Sequence, residues 1–178
     1  MESQKRKNVR LKDYDYSQDG AYFITVCMEN HNKLLSELRR GDHCGCPNVV
    51  LTQIGEIAEK TFDIIENSYS IVIDKYVIMP NHIHFILIKD SVCEGRATAR
   101  VAPTVGGIVG AYKSIVANEW LKICKQNNEK MGRLWQRNYH EHVIRNEEDY
   151  RIKWQYIDGN PLNWVEDEYY CDNSIIIL

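Results

Sequence analysis

An α+β fold, an antiparallel sheet with helices packed on one face, is what this sequence predicts, and two observations carry that reading. Apolar, β-branched runs alternate with segments of helical spacing in the order strand, helix, strand, strand, helix, strand. That order matches the split βαβ, ferredoxin-like unit, with one further helix appended. No internal repeat or low-complexity tract interrupts it, and 178 residues suffice to bury a substantial core as a single domain.

Each element has its own signal. Residues 1–20 form a basic arm, in which Lys5, Arg6, Lys7, Arg10 and Lys12 are opposed only by Glu2 over the first twelve positions. Ala21-Tyr-Phe-Ile-Thr-Val-Cys27 is rich in aromatic and β-branched side chains and predicts the first strand. Residues 30–48 read as an irregular connection. Thr52 is placed to cap a helix running to about Asn67, where Ile54, Ile57, Ala58, Phe62 and Ile65 recur with helical spacing. Residues 71–79 predict a second strand, Pro80-Asn81 a turn, and residues 82–88 a third strand that pairs with the second as a hairpin. Residues 90–105 hold few large apolar side chains and predict a mobile loop, with Arg96 and Arg100 positioned to touch a polyanion.

Residues 108–125 predict a second helix with Ile108, Tyr112, Ile115, Trp120 and Ile123 available to the core. Its opening, Gly106-Gly-Ile-Val-Gly110-Ala-Tyr-Lys113-Ser114, is not a phosphate-binding P-loop, because the lysine does not directly follow the glycine that the loop's tight backbone cradle requires. No nucleotide cofactor is expected. Residues 134–144 predict the fourth strand. Asn146 then caps the appended helix, whose first turn carries Glu147, Glu148 and Asp149, as the helix dipole favours. That helix ends near Asn160, since Pro161 disfavours helical geometry in the residue before it.

Composition bounds the function. A net charge of −3 argues against a uniformly basic nucleic-acid binder, but the average hides a basic arm and acids gathered at 147–149 and 166–168. The six cysteines, Cys27, Cys44, Cys46, Cys93, Cys124 and Cys171, are scattered and read as reduced thiols. Cys44-Gly-Cys46 lacks a second cysteine pair to complete a zinc site and is read as a variable loop. No apolar run is long enough to span a bilayer and no hydrophobic signal region follows Met1, so the expected location is cytoplasmic, at the nucleoid.

The chemistry centres on Tyr76-Val-Ile-Met-Pro-Asn-His82-Ile-His84-Phe-Ile-Leu-Ile88. Side chains alternate along a strand, so His82 and His84 share one face while Ile83 packs behind them. Neutral imidazoles at that spacing form a metal clamp, the alternative being two hydrogen-bonded core histidines. On the appended helix, Tyr156 and Asn160 fall at i and i+4 and share a face. Asn160 can lend a carbonyl oxygen as a third ligand beside the phenol, a set that suits Mg²⁺ or Mn²⁺.

These blocks resemble a known family. Tyr76-Val-Ile-Met-Pro-Asn-His-Ile-His84, Leu134-Trp-Gln-Arg-Asn-Tyr-His-Glu-His-Val-Ile-Arg-Asn146 and Tyr156-Ile-Asp-Gly-Asn-Pro161 look like the three signature blocks of the REP-associated tyrosine transposases, single-tyrosine HUH-type DNA nucleases. Arg10-Leu-Lys-Asp-Tyr-Asp-Tyr16, Tyr22-Phe-Ile-Thr25 and Val109-Gly-Ala-Tyr-Lys-Ser114 extend the resemblance over nearly the whole chain.

The resemblance implies that His82 and His84 bind the metal and that Tyr156 is the nucleophile. Asn160 stands where related transposases carry a glutamine ligand, one methylene longer, and His142 is the competing third ligand. Tyr139 is a lesser alternative nucleophile, since it precedes the helix. The implied substrate is single-stranded DNA bearing a hairpin, such as a folded repetitive extragenic palindrome, cut through a 5′-phosphotyrosine by a monomer more readily than a homodimer. The arm residues, Arg96, Arg100 and Lys113 are the expected phosphate contacts, and Tyr14, Tyr16 or Trp135 the expected base-stacking surfaces. Two other classes remain: a hairpin-binding regulatory module that does not cut, and a metal-dependent hydrolase with water as nucleophile.

Overall fold

The structure, a computed structural model, describes residues 19–41, 47–90 and 104–171. The basic arm with Tyr14 and Tyr16, the Cys44-Gly-Cys46 segment, and Arg96 and Arg100 lie outside them. Strands β1 (Gly20–Cys27), β2 (Ser36–Arg39), β3 (Asn48–Leu51), β4 (Ile71–Ile78), β5 (His82–Lys89) and β6 (His140–Ile144) combine with helices α1 (Gln53–Ser68), α2 (Val105–Gln126) and α3 (Glu147–Gly159). β1, β4, β5 and β6 form one antiparallel sheet in the order β4-β5-β1-β6, the ferredoxin-like arrangement expected from the element order.

The sheet separates two environments. Tyr22, Ile24, Val26, Ile83, Phe85 and Leu87 point to the face covered by α1 and α2, where they meet Phe62, Ile65, Ile108 and Tyr112 in the main core. Phe23, Ile86 and Ile157 form a small second cluster on the opposite face, which seats α3. Three N-caps begin the helices: Thr52, Thr104 and Asn146 each accept a backbone N–H three residues on. The glycines at 106, 107 and 110 lie within α2 and build no phosphate cradle.

Two expectations are corrected. The connection after β1 contains the β2–β3 hairpin, whose four-residue strands are too short to show a clear alternation. The chain from the end of β1 to the first residue of this hairpin holds the turn that precedes His82. Leu35 N–H donates to the Pro80 carbonyl, Met28 N–H to that of Asn81, and the Ser36 hydroxyl to that of Ile78. Gly55 allows the approach of α1 to this latch, since a Cβ there would meet the Leu35 carbonyl oxygen at 2.0 Å. The fourth strand is also shorter than residues 134–144. It is interrupted: Trp135 bridges Met28 and Gln136 N–H donates to the Cys27 carbonyl, then Lys113 Nζ gathers the carbonyls of Gln136, Arg137 and Asn138, and the regular ladder with β1 runs from His140.

Candidate active site

The register of β1 and β5 sets Cys27 opposite His82, Thr25 opposite His84 and Phe23 opposite Ile86, all on the α3 face. Both histidines are fully buried, with ring centroids 4.4 Å apart. Each ring is held through Nδ1. His82 Nδ1 meets Asn81 Oδ1 at 2.8 Å, and because Asn81 Nδ2 donates to the Tyr169 carbonyl the amide is oriented and the imidazole must be the donor. His84 Nδ1 lies 2.8 Å from Thr25 Oγ1. This arrangement leaves the Nε2 lone pair of His82 free for a ligand and presents His84 Nε2 beside it.

Those two Nε2 atoms, together with Asn160 Oδ1, are buried without a hydrogen-bond partner. An orphaned buried polar atom costs on the order of 1–3 kcal/mol, so three of them at one place call for a ligand. The Asn160 side chain lies close enough to His82 to raise its proton affinity. A carboxylate completes the cluster: ligand atoms of His82, His84 and Asp167 all fall within 4.8 Å of one another. Two imidazole nitrogens, a carboxylate and an amide oxygen fit a divalent cation of the Mg²⁺, Mn²⁺ or Zn²⁺ kind.

Asp167 also organises the tyrosine. Its Oδ2 accepts from Asn160 Nδ2 at 2.6 Å and from the Tyr156 hydroxyl at 3.1 Å, while Oδ1 accepts from Tyr169 N–H at 2.7 Å. Tyr156 packs edge-on against His84, at 5.2 Å between centroids, and against Phe23, at 5.8 Å. The phenol therefore stands beside the imidazole pair, with its proton pointed at the carboxylate. Asp167 was not among the residues singled out from sequence, because acids in a run at 166–168 read as solvated surface; the chain turns back past Pro161 and folds them over the site.

Burial, more than any charge, sets the electrostatics. It pushes both imidazoles well below their ordinary pKa; His31 adds to the shift at His82, which Asp167 opposes, and at His84 the neighbouring His82, Lys153 and His140 add to it. Both rings are neutral at pH 7, the form that ligates a metal. Burial and then the charge of Asp167 push the Tyr156 phenol far upward, so it is protonated at neutral pH. The site opens into a cavity of about 710 Å³.

His142 reaches this cavity from β6 but is engaged elsewhere, with Nε2 3.0 and 2.8 Å from the two oxygens of Asp149 on the first turn of α3. It ties the tyrosine helix to the sheet edge, and it stands outside the His82, His84 and Asp167 cluster. Tyr139 donates to Glu141. Lys113, expected to meet DNA, is half-buried and donates to backbone carbonyls. Trp135, expected to stack on bases, is instead a core residue, 6% exposed, whose Nε1 donates to the Lys113 carbonyl.

No family model matches the chain. It is 32% identical over 180 residues to an uncharacterized protein of Haemophilus influenzae, with 94% of each covered, and the two belong to one family. A solved structure of the REP-associated tyrosine transposase bound to a REP hairpin aligns with a TM-score of 0.54 at 20% identity, over 87% of this chain and 74% of that one. In fold the chain is of the REP-associated tyrosine transposase kind.

Proposed function

We propose that the chain is a tyrosine transposase: a divalent-metal-dependent endonuclease and strand transferase for single-stranded DNA at hairpin-forming repeats. One observation carries the reading. The Tyr156 hydroxyl, the orphaned Nε2 atoms of His82 and His84, and Asn160 converge on Asp167. A structural histidine pair has no need to leave its second nitrogens unpartnered beside a tethered phenol. The fold neighbour was solved on a REP hairpin, and we extend that class of substrate to this chain.

His82, His84 and Asp167 would hold the cation, with Asn160 Oδ1 within reach as a fourth ligand. When bound, the ion supplies charge neutralisation on a phosphodiester oxygen as negative charge develops there. The protein's own groups do the rest. Asn81 and Thr25 fix the two rings before any ligand arrives, so little reorganisation accompanies binding. Asp167 orients the Tyr156 hydroxyl and accepts its hydrogen bond; as the oxygen attacks phosphorus, its proton passes to a neighbouring acceptor, and Asp167 is the nearest one identified. The P–O3′ bond breaks, the 3′ oxygen leaves as a hydroxyl after gaining a proton, and the 5′ phosphate remains on Tyr156. Because the phosphotyrosine is itself a phosphodiester, another 3′-OH can attack it and rejoin strands without ATP.

The test is a denaturing gel for a covalent protein–DNA adduct. Wild type and Tyr156→Phe are incubated with single strands carrying hairpins from palindromic repeats around the gene, with Mn²⁺ or Mg²⁺ and with chelator. An adduct that needs both the ion and Tyr156 is expected. Cleavage that survives Tyr156→Phe would point to water as nucleophile, and tight hairpin binding without an adduct would point to a regulatory DNA-binding module.

A further inference from the structure

The cavity is poorly suited, on its charge, to receive DNA. Glu141, Glu166, Asp167 and Glu168 all line it, and among the described residues Lys153 is the one lysine or arginine in its lining. Lys153 sits three residues before Tyr156 on α3, so both side chains leave neighbouring positions of the same helix surface. Its Nζ lies 5.2 Å from the centroid of the Phe23 ring. That same ring stacks on His84, at 5.2 Å and 25° between planes, and takes the edge contact from Tyr156. Phe23 thus forms a shared floor under the ammonium, one imidazole of the pair and the nucleophile. Among the described residues Lys153 makes no close ion pair, whereas Lys75, Lys89, Lys122 and Arg151 do, though its charge is felt by the Asp149 carboxylate one helical turn earlier. An ammonium resting on an aromatic face still has N–H donors to offer an incoming anion.

We infer that Lys153 binds a nonbridging oxygen of the phosphodiester that Tyr156 attacks, holding the phosphate from α3 over the Phe23 ring it shares with His84. This rests on the tyrosine-nuclease reading above and adds to it a residue that meets the substrate. Carboxylates repel that phosphate, and among the described residues that line the cavity Lys153 is the counter-charge.

The experiment uses the same hairpin-bearing single strands with two readouts. The first is the rate of adduct formation at saturating Mn²⁺ for wild type, Lys153→Gln and Lys153→Arg. The second is the dependence of binding on salt, measured with Tyr156→Phe in place so that no strand is cut. Lys153→Gln is expected to slow adduct formation by about a hundredfold, the usual scale for losing one charge-stabilising donor. It should also lower the slope of log K against log salt by about 0.7, the release of one phosphate contact on single-stranded DNA. Lys153→Arg should restore both readouts in large part.

An adduct rate within twofold of wild type, or an unchanged slope, would overturn the assignment even if the nuclease reading stands. Binding by wild type with no adduct in any metal would instead sink the nuclease reading, and the slope would still decide whether Lys153 meets a phosphate. Loss of both readouts without rescue by arginine would mark a packing role on Phe23 and reject the contact.

Discussion

Strand β5 has two faces with opposite tasks. Ile83, Phe85 and Leu87 face α1 and α2 and are packed among aliphatic and aromatic neighbours. His82 and His84, their alternates, are equally buried on the α3 face, yet each imidazole keeps a nitrogen without a partner. One strand thus uses its apolar residues to hold position and, under the proposed function, its polar residues for chemistry. The comparison teaches that the rigidity of the imidazole pair comes from behind, through the core, and from the side, through Asn81 and Thr25.

Breaking one face at a time should separate the two roles. Tyr156→Phe on the polar side is expected to give the largest effect, a loss of adduct of more than about a thousandfold with the melting temperature little changed, as read on gels and by thermal denaturation. Phe85→Ala on the packed side should cost about 3–5 kcal/mol in urea unfolding and weaken Mn²⁺ binding by the folded molecules far less than a change on the polar side. Asn81→Ala removes the group that holds His82 in its tautomer. It should weaken Mn²⁺ binding by about 10–100-fold in calorimetric titration.

The imidazole pair also predicts a pH limb. Their folded pKa values lie below the unfolded value near 6.5, so the unfolded chain takes up more protons in acid. Stability of the metal-free protein is therefore full above about pH 6.5 and declines as pH falls toward the depressed folded values, and urea melts in chelator should show this limb flattened by His84→Gln. Thr52→Ala, remote from both faces, should cost only about 1 kcal/mol through loss of the α1 cap.

Much of this was legible in the sequence, for reasons of periodicity. A period of two put His82 and His84 on one face, and helical spacing put Tyr156 and Asn160 on another, so the two halves of the site could be read before they met. What brings them together was not readable. Asp167 reaches the histidines only because the chain reverses past Pro161, and a run of three acids gives no sign that its middle member is turned inward. The β2–β3 hairpin escaped because four residues are too few for a pattern. Lys113 and Trp135 carry the chemistry of DNA contacts, but tertiary context engages both, the lysine with carbonyls at 136–138 and the indole with the Lys113 carbonyl. Lys153 was missed because a lysine inside a charged helix is indistinguishable from a solvated one until its position over Phe23 is known.

The most direct test of the central claim is long-range ¹H–¹⁵N NMR of the histidine rings during titration with substoichiometric Mn²⁺. His82 and His84 are expected to be neutral, with the His82 proton on Nδ1, their signals to broaden first, and Asp167→Asn to shift this broadening to higher Mn²⁺. Exposed His142 should respond later. Broadening that begins at His140 and His142, or that affects all rings equally, would contradict a metal site on the buried face of β5.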